Sequence, residues 1–245
     1  MRKKILYYAL TYNGNYDKIK TALENNEDYH DVIYNGNYIT IYDENYPKKL
    51  LRLINPPFIL FYKGDISALN KPSVSIVGSR TNSLYSDEIC KKLIDRLDNE
   101  FVTISGLAKG VDASVHKYSH INHKSIGVLG CGIDYVYPYC NKNIYDIMYK
   151  EHLVISEYPG LCKPLADNFR FRNRIISGLS NYLFVIEAGL KSGTLISVNY
   201  ALEVGNDIYC VPHRLSDNVS GCNYLINEGA NILYDINIVS ELIKK

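Results

Sequence analysis

Residues 73–80 read SVSIVGSR, and residues 101–110 read FVTISGLAKG. Each is a run of apolar, β-branched and small residues that stops at a glycine. The first run predicts a strand and a turn. The stretch after it, from Ser86 to Leu97, carries Ile89, Leu93, Ile94 and Leu97 at helical spacing. The second run predicts another strand and turn, with a short helix from about Val111. The rhythm continues outward: SIGVLGCG at 125–132, a helix near 143–151, then LVISEYPG at 153–160 and NYLFVIEAG at 181–189. In the helix GTLISVNYALEVG, Leu195, Val198 and Leu202 fall on one face. DIYCVPH and ANILYD close the series as strands. Strands this short and apolar are buried on both faces, which predicts a parallel sheet covered by helices. Right-handed crossovers follow. The expected fold is α/β, an extended Rossmann-like, doubly wound and mostly parallel sheet. Ligands of such sheets bind at the strands' carboxyl ends, near a switch in strand order.

The first 70 residues lack this rhythm and are rich in Asn and Tyr. Tyr46-Pro47 opens a short helix and Pro56-Pro57 ends it. FILFY (58–62) then reads as a strand, placed at the sheet edge because Pro57 precedes it. The expected division is a small N-terminal module at 1–45, a connector with an edge strand at 46–72, and the Rossmann-like domain at 73–245.

The chain has 245 residues, 47% of them hydrophobic and 22% charged, which suits one large domain with a small appendage. Its net charge of +1 means that any polyanion surface must be a local patch. The six cysteines form no C-x-x-C pair, and no histidine cluster has zinc-like spacing. No metal and no cofactor is expected. Reduced thiols and a cytoplasmic location are expected instead. The N-terminal apolar stretch is too short to span a membrane.

The eight arginines are unevenly placed. Arg80, Arg170, Arg172, Arg174 and Arg214 fall in predicted loops at, or just beyond, strand carboxyl ends. All such loops meet along one edge of a parallel sheet, so a cationic trough forms there without high net charge. The same loops carry Gly78 and Ser79, then Gly106, Lys109 and Gly110, then Gly130 and Gly132. Lys191, Ser192, Gly193 and Thr194 stand at a helix start. Helix N-termini offer free N–H groups, and glycine lets an oxyanion approach them. The P-loop pattern G-x-x-x-x-G-K-[ST] is absent, and LGCGIDYVY lacks the third glycine of a dinucleotide fingerprint.

In FRFRNRIISGLSN (169–181) two phenylalanines alternate with three arginines in a predicted loop ahead of a helix. Charge for a backbone beside a ring for bases is what single strands require. Phe169 and Phe171 either meet bases or pack below the loop. Arg172 and Arg174 either meet phosphates or pair with Glu157 or Glu187. His116 reads as a helix residue that contacts a neighbour.

IVGSR, ISGLAKGVDASVH, GVLGCGIDYVYP, SEYPG, RNRIISGLS, VIEAGLKSGTLIS, ALEVGNDIYCVP and GCNYLINEGA follow the order and spacing of the DprA/Smf DNA-processing family, which the chain resembles over roughly residues 38–234. The resemblance implies a non-enzymatic protein that binds single-stranded DNA without strong sequence preference. It also implies homodimers and delivery of the strand to the RecA recombinase in recombination and natural transformation. Positions that match the family's DNA pocket are Gly78, Ser79, Arg80, Lys109, Phe169, Arg172, Asn173, Arg174 and Lys191. Lys109 replaces the usual Arg, Arg170 the usual Pro, and His213 the usual Gly. The N-terminal module is only loosely like the helical module of some members, and the C-terminal winged helix of others has no counterpart.

Two other readings compete. One is a nucleotide phosphoribohydrolase of a related group with P-G-G-x-G-T-x-x-E. Here LKSGTLIS puts Ser197 at the glutamate position. The other is a nucleotide sensor.

Overall fold

A computed structural model describes residues 1–215 and 220–242. Among the described residues nine strands form one sheet: β1 (Asn37–Thr40), β2 (Ile59–Gly64), β3 (Ser73–Val77), β4 (Val102–Gly106), β5 (Ser125–Leu129), β6 (Leu153–Ser156), β7 (Tyr182–Val185), β8 (Asp207–Cys210) and β9 (Asn231–Ile232). Their order is β1-β2-β6-β5-β4-β3-β7-β8-β9. β1 and β2 join antiparallel, and the seven strands from β6 to β9 run parallel. The chain steps outward from β3 to β6, then returns to lay β7 on the other side of β3. The order of strands therefore reverses between β3 and β7, the place where such sheets open a crevice.

The helices are α1 (Arg2–Thr11), α2 (Tyr16–Glu24), α3 (Leu84–Asp95), α4 (Val111–Asn122), α5 (Lys142–Glu151), α6 (Ala166–Gly178), α7 (Thr194–Glu203), α8 (Gly221–Asn227) and α9 (Val239–Leu242). α6, α7 and α8 cover one face, where Ile175, Ile176, Leu179, Val198 and Leu225 pack on Val102, Ile104, Val128 and Val185. On the other face Ile5, Tyr8 and Ile19 of α1 and α2 share a core with Phe61, Tyr145 and Met148. Beside them α3 and α4 set Leu93, Ile94, Val111 and Val115 against Val74, Ile76 and Phe184. The doubly wound, mostly parallel α/β sheet is the one its apolar runs predict.

Small hydroxyls let the helices approach closely. Ser75 Oγ donates to the Ile176 carbonyl (2.6 Å) and Ser73 Oγ to that of Leu179 (2.9 Å), which ties β3 to α6. Each of these buried hydroxyls is thus matched, as burial in a dry interface requires.

The structure departs from the sequence expectations in three places. Asn37–Thr40 is a strand, paired antiparallel with β2, so Ile59–Gly64 stands one place in from the edge. Helix α6 begins at Ala166, so Arg170, Arg172 and Arg174 lie on a helix and not in a loop. Alternating charge and aromatic residues look like period two, but Asp167 in the first turn and packing against α7 hold this stretch helical. Leu202, expected on the buried face of α7, is 63% exposed, while Val198 is buried. His213 is not among the non-glycine residues at positive φ, so its replacement of glycine brings no strain there. Its ring meets the Ile186 carbonyl through Nε2 (2.9 Å), and its backbone pairs with the Asn223 side chain.

Candidate functional site

The reversal between β3 and β7 opens into a cleft of about 800 Å³. The loop after β3 forms one wall, with Gly78, Ser79 and Arg80. The loop after β7 and the start of α7 form the opposite wall, with Lys191, Ser192, Gly193 and Thr194. One side of α6 supplies Phe169, Arg170, Arg172 and Asn173. A neighbouring recess of about 230 Å³ adds Lys109 and is bounded again by Arg80, Phe169 and Arg172. Most of the residues singled out in the sequence therefore converge on one rim.

Local sequence explains the shape. Gly110 sits at φ +73°, and a Cβ there would collide with the Ser79 carbonyl. That carbonyl accepts a hydrogen bond from Val111 N at 3.0 Å, which locks the β3 and β4 loops together. Gly106 is buried, away from the cleft surface; a Cβ there would strike Arg172 and Asp112. A Cβ on Gly130 would strike Phe169, so this glycine makes room for a ring and not for a phosphate. Asn173 Nδ2 donates to the Gly193 carbonyl (3.3 Å) and joins α6 to the start of α7.

The cations differ in kind. Arg80, Lys109 and Lys191 are exposed, and among the described residues none has an acidic partner within 4.0 Å. Arg170 is exposed beside Asp167 at 3.8 Å. Arg172 is buried in the floor, where its Nη1 donates to the Val128 carbonyl. Burial pulls its pKa below the ordinary guanidinium value, and the neighbouring Asp112 opposes that pull. Burial in turn pushes the Asp112 carboxyl up, against the attraction of Arg172. Arg172 Nε and Ser192 Oγ are buried and have no hydrogen-bond partner among the described residues. Both belong to residues lining the cleft, and unmatched buried donors favour an acceptor-rich ligand.

Phe169 stands half-buried among these charges. The Arg80 and Arg172 guanidinium carbons lie 5.7 and 6.0 Å from its ring centroid, and Tyr137 lies 5.5 Å away at a tilt of 39°. Phe171 points elsewhere. It packs against Arg174 (3.6 Å) and edge-on to Tyr16 of α2 (5.3 Å). Arg174 is buried and grips Glu157, so of the two alternatives open in the sequence it takes the ion pair. Glu187 instead accepts from Ser83 N and Oγ at the start of α3. The sequence reading missed Asp112 and Tyr137. Asp112 carried no distinguishing pattern, and Tyr137 was one of 23 tyrosines.

A family described as DNA recombination-mediator protein A matches residues 37–244. The chain belongs to this family. The DNA processing protein DprA of Streptococcus pneumoniae is 42% identical over 196 residues, covering 79% of this chain and 70% of that protein. The X-ray structure of the pneumococcal DprA superposes with a TM-score of 0.82 at 33% identity, over 98% of this chain and 93% of that one. A Helicobacter pylori DprA structure, described by its single-stranded DNA binding mode, gives a TM-score of 0.79 at 30% identity. It covers 86% of this chain and 97% of that one. Among the described residues no helix is long and apolar enough to cross a membrane.

Proposed function

We propose that this recombination-mediator chain holds single-stranded DNA in the cleft, without strong sequence preference, and delivers it to a RecA-type recombinase. The observation that carries the reading is the placement of Phe169 among Arg80, Arg172 and Tyr137, with Lys109 and Lys191 exposed on the rim and without an acidic partner among the described residues. Exposed cations follow a phosphate backbone, and a half-buried ring offers a stacking surface to a base whatever its identity. Family membership and the Helicobacter relative support the same ligand. The protein acts by binding, as a homodimer in the cytoplasm, without turnover. Duplex DNA hides its bases, so the ring contact favours unpaired strands.

A gel-shift comparison of oligo-dT with a duplex of equal length tests this. Preference for the single strand, weakened by added salt, is the expected result. Equal binding of both forms contradicts it. Acceleration of recombinase filament growth on the strand tests delivery.

Asp112 favours a second reading, because a carboxyl pushed up by burial in a nucleotide-sized cleft can serve as an acid. Incubation with AMP and chromatography for free adenine separates the two.

A further inference from the structure

The sheet has a second rim, at the amino ends of β5 and β6, away from the cleft. There the last turn of α4 and the end of α5 bring together His120, Glu151 and His152. His120 Nδ1 lies 3.4 Å from His152 Nε2 and 3.4 Å from Glu151 Oε2. All three donor atoms lie within 4.8 Å of one another. For metal–ligand bonds of about 2.0–2.2 Å, the edge of a coordination tetrahedron is about 3.3–3.6 Å. Two edges already have that length. We propose that His120, Glu151 and His152 form a binding site for a divalent transition-metal ion of zinc-like preference, with the fourth position open to water.

The donor set is chemically apt. Two imidazoles and one carboxylate suit a borderline ion and not calcium or magnesium, which take oxygen donors. The site is also preorganised. His152 is 4% exposed, and its carbonyl is fixed by Asp65 N (3.0 Å) where β2 joins β6. Its Nε2, the atom that faces His120, approaches Nδ1 of that residue only to 3.4 Å, which is long for a hydrogen bond. A buried Nε2 with so long a contact favours another partner at that nitrogen. The side chains of His120 and Glu151 are 36% and 56% exposed, which gives an ion a path from solvent. Both helices also end here, and helix carboxyl ends carry partial negative charge that favours a cation. Lys124, whose ammonium donates to the Glu151 carbonyl (2.7 Å), is the adjacent positive charge and moderates the affinity. A bound ion would staple α4 to α5.

Sequence spacing could not show this site, because His120 and the Glu151–His152 pair belong to different helices.

The test uses the full chain, stripped with EDTA and titrated with Co²⁺ as a spectroscopic probe. The expected result is visible d–d absorption that saturates at one equivalent and is displaced by Zn²⁺. His120→Ala, at a partly exposed position, should weaken binding at least about tenfold while its melting temperature without metal stays native. Glu151→Gln should weaken binding in the same direction. Zn²⁺ should raise the melting temperature of the parent and not of His120→Ala. No saturable absorption overturns the proposal. So does absorption unchanged in both variants, or thiolate charge transfer that disappears with Cys140→Ser and Cys162→Ser.

Discussion

Arg174 and Glu157 form a buried, bidentate ion pair: Nη1 to Oε2 and Nη2 to Oε1 are both 2.6 Å, with side chains 2% and 6% exposed. The pair joins α6 to the end of β6, and Phe171 stacks on the guanidinium. Removing one partner leaves the other charge buried alone. Arg174→Ala should therefore lower stability by about 3–5 kcal/mol. Arg174→Met combined with Glu157→Leu should recover much of that loss. Urea unfolding of the three proteins checks both outcomes.

Phe169 and Phe171, two residues apart, should behave oppositely. Phe169→Ala should weaken oligo-dT binding by about 1–3 kcal/mol, because its ring lies in the cleft. Phe171→Ala should cost roughly 1–2 kcal/mol of stability, because its ring covers Arg174 and Tyr16. Fluorescence anisotropy and denaturant unfolding, run on both variants, separate the effects.

This contrast marks the limit of what the sequence shows. β3 to β8 were legible because each is a short apolar run, mostly closed by a glycine or polar turn, and period and punctuation are local properties. Convergence of Gly78, Arg80, Lys109 and Lys191 on one rim followed from parallel topology alone. For Arg174 the sequence offered both a phosphate and Glu157 but could not choose between them, because Glu157 lies on another element. The start of α6 was hidden by an alternation of arginine and phenylalanine that imitates period two. β1 was missed because Asn37–Thr40 is four residues long and owes its strand form to pairing with β2.

Gly110 carries a backbone constraint that no other residue type meets without strain, since φ is +73° and the Ser79 carbonyl fills the Cβ position. Gly110→Ala should cost about 1–3 kcal/mol and part the β3 loop from α4. Thermal unfolding and oligo-dT affinity should both fall.

His116 gives the protein an acid-sensitive core. Ser119, Thr103 and Ser125 form a hydroxyl chain that ends at His116 Nδ1, while Nε2 donates to the Gly106 carbonyl. Protonating Nδ1 would turn the acceptor at the end of this chain into a donor. Burial lowers the His116 pKa from 6.5 to about 4. Between those values the unfolded chain binds a proton that the folded chain does not. Stability from this group is therefore complete above pH 6.5 and falls as pH drops towards 4, by up to about 1.4 kcal/mol per pH unit. Urea midpoints at pH 7 and pH 5 should show a smaller difference for His116→Asn than for the parent.

The most direct test of the cleft is the salt dependence of oligo-dT affinity for the parent, Arg80→Ala and Lys191→Ala. Both side chains are exposed and lack an acidic partner among the described residues, so folding should be unaffected. Each variant should bind more weakly at low salt. Its plot of log K against log salt should be shallower by about 0.7 for each phosphate that the variant no longer neutralises. Native unfolding curves with parental affinity and parental slope in both variants would contradict the account.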